Sequence, residues 1–204
     1  PTYNRCQILK ENLNNLIEIL SPYGIFINIS DNASEDSTKE IVELAKKRYP
    51  NINYSRNETN IGFDRNCETV LKMNTARYAW LISDNDSLTS CIKEVIELLE
   101  AGDYNLVLAG FDKRIKTKLY TNRNDVLADL AGTMSWIGAL IISKEVIEIA
   151  NFSRFYDTAF VHTGTLLEAL ANIQDVRVLY LSDVVRKYFY EIIPGLCSYS
   201  DAAF

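Results

Sequence analysis

The sequence predicts an α/β fold, with a mostly parallel sheet flanked by helices and a less regular C-terminal region. Strand-like apolar runs alternate with segments of helical periodicity through residue 111, a pattern typical of parallel strands joined by crossover helices. The chain has 204 residues and is 48% hydrophobic, which is enough for one substantial core. Beyond residue 111 the periodicity weakens. We therefore predict a single domain over residues 1–204, with halves at 1–111 and 112–204.

The first half has a regular order of predicted elements. Apolar residues at helical spacing from Ile8 to Leu20 predict a first helix that ends before Pro22. Ser37 and Glu40 have the spacing of a capping box at the start of a second helix. The further predicted elements are strands at 24–29, 52–55, 78–83 and 105–111, and helices at 37–49, 63–73 and 89–99.

The second half gives weaker signals. Ser143 is placed to cap a helix that continues through Ile149. From Tyr188 onward the chain is aromatic and its secondary structure is ambiguous. The remaining predicted elements are extended segments at 117–121, 137–143 and 177–181, and helices at 125–130 and 163–171.

Charge and composition argue against several classes of protein. The net charge is −6 and basic residues occur only in small clusters, whereas binding to nucleic acid needs a clustered basic surface. No apolar run reaches the roughly 18 residues of a membrane span. The four cysteines show neither metal-ligand spacing nor a compact disulfide framework. A reducing cytoplasm is therefore the expected location.

One apolar strand ends at two carboxylates that are one residue apart, Asp84 and Asp86. Alternation in an extended segment points both side chains to the same side. Such oxygen ligands suit Mg²⁺ or Mn²⁺, which usually keep waters and share their coordination with substrate phosphates. The predicted ligand is therefore a nucleoside diphosphate. The alternative is that one of the two residues caps the helix expected from Thr89.

Three other polar loops accompany this Asp-x-Asp segment. With it, they resemble a family 2 glycosyltransferase of the GT-A fold, and the resemblance covers roughly residues 1 to 111. The segments that carry it are Pro1-Thr-Tyr-Asn-Arg5, Ile29-Ser-Asp31-Asn32-Ala-Ser34-Glu-Asp36-Ser-Thr38, Asn60-Ile-Gly62-Phe-Asp-Arg65-Asn66 and Trp80-Leu-Ile-Ser-Asp84-Asn85-Asp86. The motif Phe63-Asp-Arg65-Asn66, together with the later Phe160-Val-His162, resembles the abequosyltransferase-like branch of the family. Members of that branch transfer deoxysugars during surface-polysaccharide synthesis.

The resemblance implies a Rossmann-like GT-A sheet and metal-dependent transfer of one hexosyl or deoxyhexosyl unit. The donor would be a nucleotide-diphosphate sugar, and the acceptor would be a glycan or a lipid-linked saccharide in surface-polysaccharide biosynthesis. Residues 1–111 would bind the nucleotide sugar and residues 112–204 would bind the acceptor. In the resembled family an apolar strand precedes the segment that starts here at Pro1, so we expect the chain to lack that strand.

The resemblance also implies the residues that hold the donor and its metal. Asp86 would contact the metal directly, and Asp84 would reach the ribose or a metal-bound water. The full set for the nucleotide sugar is Thr2, Tyr3, Asn4, Arg5, Asp31, Asn32, Gly62, Arg65, Asn66, Asp84 and Asn85, with Asp84 and Asp86 for the metal.

The residues themselves agree with these roles but leave alternatives. Gly62 permits backbone that a side chain would exclude, and Arg65 and Asn66 at the head of a helix can approach phosphate oxygens. Arg65 could equally be a solvated charge and Asn66 a local capping residue. The segment from Asp31 to Ser34 could be an Asx-type turn, a role that is compatible with nucleotide binding.

The sequence offers two candidates for the general base. Many members of the resembled family carry a Glu-Asp pair beyond the acceptor strand, and this chain does not show it clearly. The nearest candidates are Asp157 and His162. His162 could be a base, a third metal ligand or a structural histidine. Inversion of the anomeric configuration is therefore expected from the resemblance alone.

Trp136 could stack on an acceptor sugar, or it could pack in the core. The chain lacks the Gln-x-x-Arg-Trp signature of processive synthases, which favours transfer of a single sugar. Two other functions stay open, a nucleotidyltransferase and a non-catalytic module that binds nucleotide sugars. Peripheral association with the inner face of the cytoplasmic membrane is also open, and the oligomeric state is not predicted.

Overall fold

The computed structural model describes residues 1–88, 92–110 and 115–182, together with the backbone of 185 and 186. The helices in this part of the chain are α1 (Cys6–Leu20), α2 (Thr38–Arg48), α3 (Phe63–Lys72), α4 (Ile92–Ala101), α5 (Arg123–Met134), α6 (Lys144–Ile149) and α7 (Val161–Asn172). The strands are β1 (Ile27–Asp31), β2 (Ile52–Arg56), β3 (Tyr78–Leu81), β4 (Ser87–Leu88), β5 (Leu106–Ala109), β6 (Lys118–Tyr120), β7 (Leu140–Ser143), β8 (Val178–Leu181) and β9 (Val185–Arg186).

The α/β class is confirmed, and the strand directions within it are mixed. The largest described sheet has the order β3-β7-β5-β8-β6. Strand β7 lies between β3 and β5 and runs antiparallel to both, so β3 and β5 point the same way. The pairs β5–β8 and β1–β2 are parallel, whereas β6–β8 and β4–β9 are antiparallel. The expectation of a mostly parallel sheet missed β7, because an apolar run does not reveal its direction.

Two apolar clusters account for most of the core. The first surrounds β5, β7 and β8 and includes the buried faces of α5 and α7. The second joins α1 and α2 to β1 and β2. In α1 the helical spacing read from the sequence buries Leu9, Leu13 and Leu16, and each such burial contributes about 1.5–3 kcal/mol relative to an exposed side chain.

The N-terminal segment lies beside the carboxyl end of β1. Thr2 forms a parallel bridge with Asp31, because its N–H donates to the Ser30 carbonyl and its carbonyl accepts from the Asn32 N–H, each at 2.9 Å. The loop that follows β3 carries Asp84. The N-terminal segment and the loop that carries Asp84 therefore both lie at strand ends, where ligands bind in open α/β sheets.

The capping box predicted at Ser37 and Glu40 is wrong. Helix α2 begins at Thr38, and Ser37 makes no side-chain cap. The Asp36 carboxylate takes that place, since it accepts the Thr38 N–H at 3.1 Å and the Cys6 N–H at 2.8 Å. One side chain thus fastens the first turns of α1 and α2. Burial opposes ionisation of Asp36, but the hydrogen bonds from Thr38 and Cys6 outweigh it and lower its pKa.

The strand predicted at 137–143 begins later, at Leu140. Residues Ile137–Ala139 form a 3-10 turn, and the indole N–H of Trp80 donates to the Gly138 carbonyl at 2.9 Å. The predicted cap at Ser143 is confirmed, because its hydroxyl accepts the Val146 N–H at 3.3 Å.

The predicted helix start at Thr89 lies outside the described residues, and so does the predicted boundary between the halves at residues 111 and 112. The ambiguous segment from 188 onward also lies outside. Within the described residues, no helix is long and apolar enough to cross a membrane.

Candidate functional site

The Asp84 carboxylate is held by the N-terminal segment. The Thr2 hydroxyl donates to Oδ2 at 3.0 Å, and the Arg5 guanidinium donates to Oδ1 at 3.0 Å. Only 5% of the Asp84 side chain is exposed, against 37% for Arg5. Two residues predicted for the donor therefore lie directly on a predicted metal-site carboxylate. The Arg5 cation offsets part of the negative charge concentrated there.

The Asp86 carboxylate is positioned by a tight turn and by a glycine. Its Oδ2 accepts the Ser83 N–H at 3.2 Å, and its own N–H donates to the Ser83 carbonyl at 3.2 Å. Gly138 lies against it, since a Cβ there would fall 2.4 Å from Oδ2. Gly138 was not among the predicted site residues; a glycine interrupting an apolar run was the available signal.

Asn12 supports the same loop from α1. It is buried, and its side-chain amide donates to the backbone carbonyls of Ser83 and Asp84 at 3.3 and 3.1 Å. An asparagine on the otherwise apolar face of α1 was the signal that sequence reasoning passed over. Asn85, predicted for the donor, accepts the Ser83 hydroxyl at 2.6 Å.

The Asp31 carboxylate is fully enclosed. Its Oδ1 accepts the Ser34 N–H at 2.9 Å, and its Oδ2 accepts the Tyr54 hydroxyl at 2.6 Å with Arg56 Nε at 3.5 Å. No part of the Asp31 side chain is exposed. The Asx-type contact is thus present, and the predicted contact of Asp31 with the donor stays a prediction. Burial and the bond to Asp31 raise the pKa of Tyr54.

Tyr3 and Asn4 lie at the rim of that loop. The Asn4 side chain accepts the Glu35 N–H at 2.8 Å, and the Asn4 N–H donates to the Ser34 hydroxyl at 2.9 Å. Tyr3 is 42% exposed, so its ring remains accessible to a ligand.

Asn32 connects this loop to the glycine loop before α3. Its Oδ1 accepts the Ile61 N–H at 2.9 Å and the Asn57 amide at 3.1 Å, and its Nδ2 donates to Asn60 at 2.6 Å. Gly62 follows with a φ of 84°, which a side chain would adopt only with strain. Nothing in the sequence pointed to Asn57, and Asn60 was noted only as the start of the segment around Gly62, not as a site residue.

Asn66 is buried and ties α3 to β1. Its Oδ1 accepts the Ser30 hydroxyl at 2.6 Å, and its Nδ2 donates to the Ser30 carbonyl at 3.1 Å. The structure thus gives Asn66 a structural contact, while its predicted contact with the donor stays a prediction.

Arg65 is paired with Asp157, so it is not simply a solvated charge. The guanidinium donates to Oδ1 at 2.9 Å and Oδ2 at 3.4 Å, and it lies 4.3 Å from the centroid of the Tyr156 ring. The hydrogen bond from Arg65 lowers the pKa of Asp157. A predicted phosphate ligand and a predicted base, 92 positions apart, are therefore in contact.

The Asp64 carboxylate binds the backbone of the segment that follows Asp157. This residue is 4% exposed, and its carboxylate accepts the N–H groups of Thr158, Ala159 and Val161 at 2.9, 3.0 and 3.3 Å. It therefore caps the start of α7 from a distant part of the chain. No local sequence pattern indicates such a long-range cap.

His162 is 3% exposed, and its Nε2 lies 3.1 Å from the Ser135 carbonyl. Because a carbonyl only accepts, Nε2 carries the hydrogen. Burial lowers the pKa of His162, although the Ser135 carbonyl and the Asp64 charge oppose this effect. Among the described residues, no three His, Cys, Asp or Glu side chains are grouped to hold a metal. The burial of His162 and its contact with the Ser135 carbonyl favour the structural alternative.

Trp136 is half-buried and packs against two core clusters. This placement favours the core alternative, and its contact with an acceptor stays a prediction.

The comparison with protein families agrees with this geometry. The model of the family described as glycosyl transferase family 2 matches residues 1–167. The chain belongs to this family.

One curated protein is similar in sequence to this family 2 member. It is 27% identical to abequosyltransferase RfbV of Salmonella typhimurium, over 82% of this chain and 58% of that protein. The chain therefore spans somewhat more than half the length of this curated relative.

Solved structures confirm the GT-A fold. S. aureus TarS 1–349 superposes with a TM-score of 0.69 at 16% identity, over 89% of this chain and 58% of that one. The mannosyltransferase PcManGT from Pyrobaculum calidifontis, in complex with GDP-Man and Mn²⁺, superposes with a TM-score of 0.64 at 18% identity, over 93% of this chain and 56% of that one.

The two carboxylates of this family 2 chain suit a divalent cation. Mg²⁺ is usually bound by one or two carboxylates together with substrate phosphates and waters. Both oxygens of Asp84 already accept hydrogen bonds from Thr2 and Arg5. Oδ2 of Asp86 accepts the Ser83 N–H in the same way, so the direct contact of Asp86 with a metal and the contact of Asp84 with a water or the ribose stay predictions.

Proposed function

We propose that this family 2 chain is a metal-dependent glycosyltransferase. It moves one hexosyl or deoxyhexosyl unit from a nucleotide-diphosphate sugar to a glycan or lipid-linked saccharide in surface-polysaccharide biosynthesis. The observation that carries the proposal is the convergence of Thr2 and Arg5 on Asp84, beside Asp86, after β3. The likeness to an abequosyltransferase supports the polysaccharide context.

The proposed donor site has a metal edge and a nucleotide edge. Asp86 and Asp84 would hold Mn²⁺ or Mg²⁺, which would supply neutralisation of the charge on the departing nucleoside diphosphate. Arg5 and Arg65 offer guanidinium groups to phosphate oxygens, and such charge-assisted bonds are strong. The accessible Tyr3 ring and the loop 32–34 would meet the nucleoside.

Asp157 is the proposed general base. It is 78% exposed, whereas His162 is enclosed; the hydrogen bond from Arg65 lowers the pKa of Asp157 and so weakens it as a base while the pair holds. A base must reach the proton of the acceptor hydroxyl, and of these two only Asp157 is accessible for this role. Direct attack with this base would invert the anomeric configuration.

The proposed location is the cytoplasm, with peripheral contact at the inner membrane face when the acceptor is lipid-linked. The free thiols of Cys6 and Cys67 agree with a reducing compartment. Cys91 and Cys197 lie outside the described residues.

A non-catalytic binding module is the second candidate, and one observation favours it: of the two candidate bases, one is ion-paired and the other is buried. A nucleotidyltransferase is disfavoured because Thr2-Tyr-Asn-Arg5 is not a glycine-rich phosphate loop.

Two measurements test the proposal. Thermal unfolding with UDP, GDP, CDP or dTDP, with and without Mn²⁺, should show one nucleotide that raises the melting temperature more when the metal is present. The corresponding nucleotide sugar should then be hydrolysed slowly to the nucleoside diphosphate. Stabilisation without release would favour the binding module, and no stabilisation by any nucleotide would contradict the proposal.

A further inference from the structure

Two neighbouring residues of α3 hold the segment 156–161 in different ways. Asp64 is buried and binds the backbone of that segment through three N–H groups. Arg65 is partly exposed and contacts side chains of that segment, Asp157 through hydrogen bonds and the Tyr156 ring through its guanidinium face. The ion pair can therefore open while the Asp64 contacts keep the backbone of the segment in place.

The Arg65–Asp157 pair is of the exchangeable kind. The side chains are 39% and 78% exposed, and exposed ion pairs contribute little to stability. A guanidinium binds phosphate oxygens through the same parallel N–H groups, with more charge on the acceptor. The Tyr156 ring, 4.3 Å from the guanidinium carbon, can support Arg65 with either partner.

The proposed function gives Arg65 a diphosphate ligand, and the following inference rests on that assignment. We propose that Asp157 is the counter-ion that Arg65 exchanges for the donor diphosphate. Binding of the donor then uncovers the Asp157 carboxylate at the edge of the donor site, where an acceptor hydroxyl can meet it. This exchange makes Asp157 a competitor of the anionic ligand before it becomes the base, and it places donor binding ahead of acceptor activation.

Calorimetric titration of the whole chain with magnesium pyrophosphate, and with UDP in the presence of Mg²⁺, tests the exchange. Pyrophosphate carries no nucleobase, so that arm of the test does not depend on which nucleotide the site prefers. Asp157→Asn removes the competing charge, and asparagine suits the left-handed φ of 64° at this position. We expect this variant to bind pyrophosphate about two- to fivefold more tightly than the wild type. Arg65→Ala should bind it more weakly.

Asp103→Asn is the matched control. Asp103 is exposed and pairs with Arg77 at 3.1 Å, and Arg77 precedes β3, at the opposite end of the strand from Asp84. The charge change is the same as in Asp157→Asn but is made away from the proposed donor site. The affinity of Asp103→Asn for pyrophosphate should therefore match that of the wild type. Equal tightening in both variants would reveal a general charge effect and overturn the proposal.

The remaining outcomes separate this proposal from the proposed function. If the wild type binds diphosphate but Asp157→Asn binds it equally or more weakly, the exchange is overturned and the donor site stands. An unchanged affinity in Arg65→Ala likewise overturns the exchange. If neither pyrophosphate nor UDP binds to any variant, both the donor site and the exchange are contradicted.

Discussion

At the scale of single residues, the site depends on positions that carry no charge themselves. Gly138 leaves room for the Asp86 carboxylate. Asn12 of α1 donates hydrogen bonds to the backbone carbonyls of Ser83 and Asp84 in the loop after β3. The sequence indicates the two carboxylates because their spacing is a local pattern. It does not indicate Gly138 or Asn12, because their contacts join positions far apart in the chain.

Gly138→Ala should displace the Asp86 carboxylate. The added Cβ would fall 2.4 Å from Oδ2, so either the carboxylate or the 3-10 turn must move, at a cost of about 1–3 kcal/mol in folding free energy. We expect metal-dependent binding of the nucleoside diphosphate to weaken, as measured by calorimetry with and without Mn²⁺.

Gly132→Ala provides the control for that substitution. No atom lies within 4 Å of a Cβ at Gly132, which is part of α5, and alanine should stabilise the helix by about 0.5–1 kcal/mol. Nucleotide binding should stay as in the wild type. Loss of metal-dependent binding in both variants would show that the close approach at Asp86 is not its cause.

At the scale of the elements, α7 begins where a residue of α3 caps it. Asp64 accepts three N–H groups at that start, and His162 in the first turn of α7 is buried beside Phe63 and Phe160. The junction of α3 and α7 is thus built from a buried carboxylate and an enclosed imidazole, and both can be tested through stability.

Asp64→Ala should lower the free energy of unfolding by about 1–3 kcal/mol, because it leaves three N–H groups, the Val161 N–H in a buried contact and the other two in part-buried ones, without their acceptor. Asp125→Ala is the control, since Asp125 is exposed in the first turn of α5 and should cost at most about 1 kcal/mol. Urea unfolding of both variants measures the difference. Equal losses would mean that the three hydrogen bonds contribute little.

His162 should make stability depend on pH. Burial lowers its pKa in the folded chain, so the unfolded chain, with a pKa of about 6.5, binds the proton more readily. The contribution of the neutral imidazole is present above that pH and is lost as the pH falls below it. The advantage of the wild type over His162→Gln in unfolding free energy should shrink between pH 7.5 and 5.5. A constant difference would show that His162 does not titrate with unfolding in this range.

At the scale of the whole molecule, the sequence predicts the order of elements better than their pairing. Helix α1 ends before Pro22 as expected, and α3 starts after Gly62 as expected, because local signals set those ends. The antiparallel insertion of β7 was missed, since strand direction is set by packing partners. Asp36 replaced the predicted cap at Ser37 for a similar reason, because it joins α1 and α2.

The candidate site shows the same division. The sequence places Thr2, Arg5, Asp84 and Asp86 in one site through the resemblance to the family, and the structure brings the first three into direct contact. The sequence does not reveal that Asp31 is enclosed or that Arg65 contacts Asp157. Those facts depend on which loops pack together in the folded chain.

The central claim is that Asp86 binds the metal that carries the nucleoside diphosphate. Calorimetry of Asp86→Asn tests it most directly, with Asp175→Asn as a control of equal charge change at an exposed position before β8. The amide keeps the shape of the side chain but not its charge, so the gain in nucleotide affinity on adding Mn²⁺ should fall by at least about tenfold, while binding without metal is kept. A gain equal to that of the wild type and of Asp175→Asn would contradict the metal site.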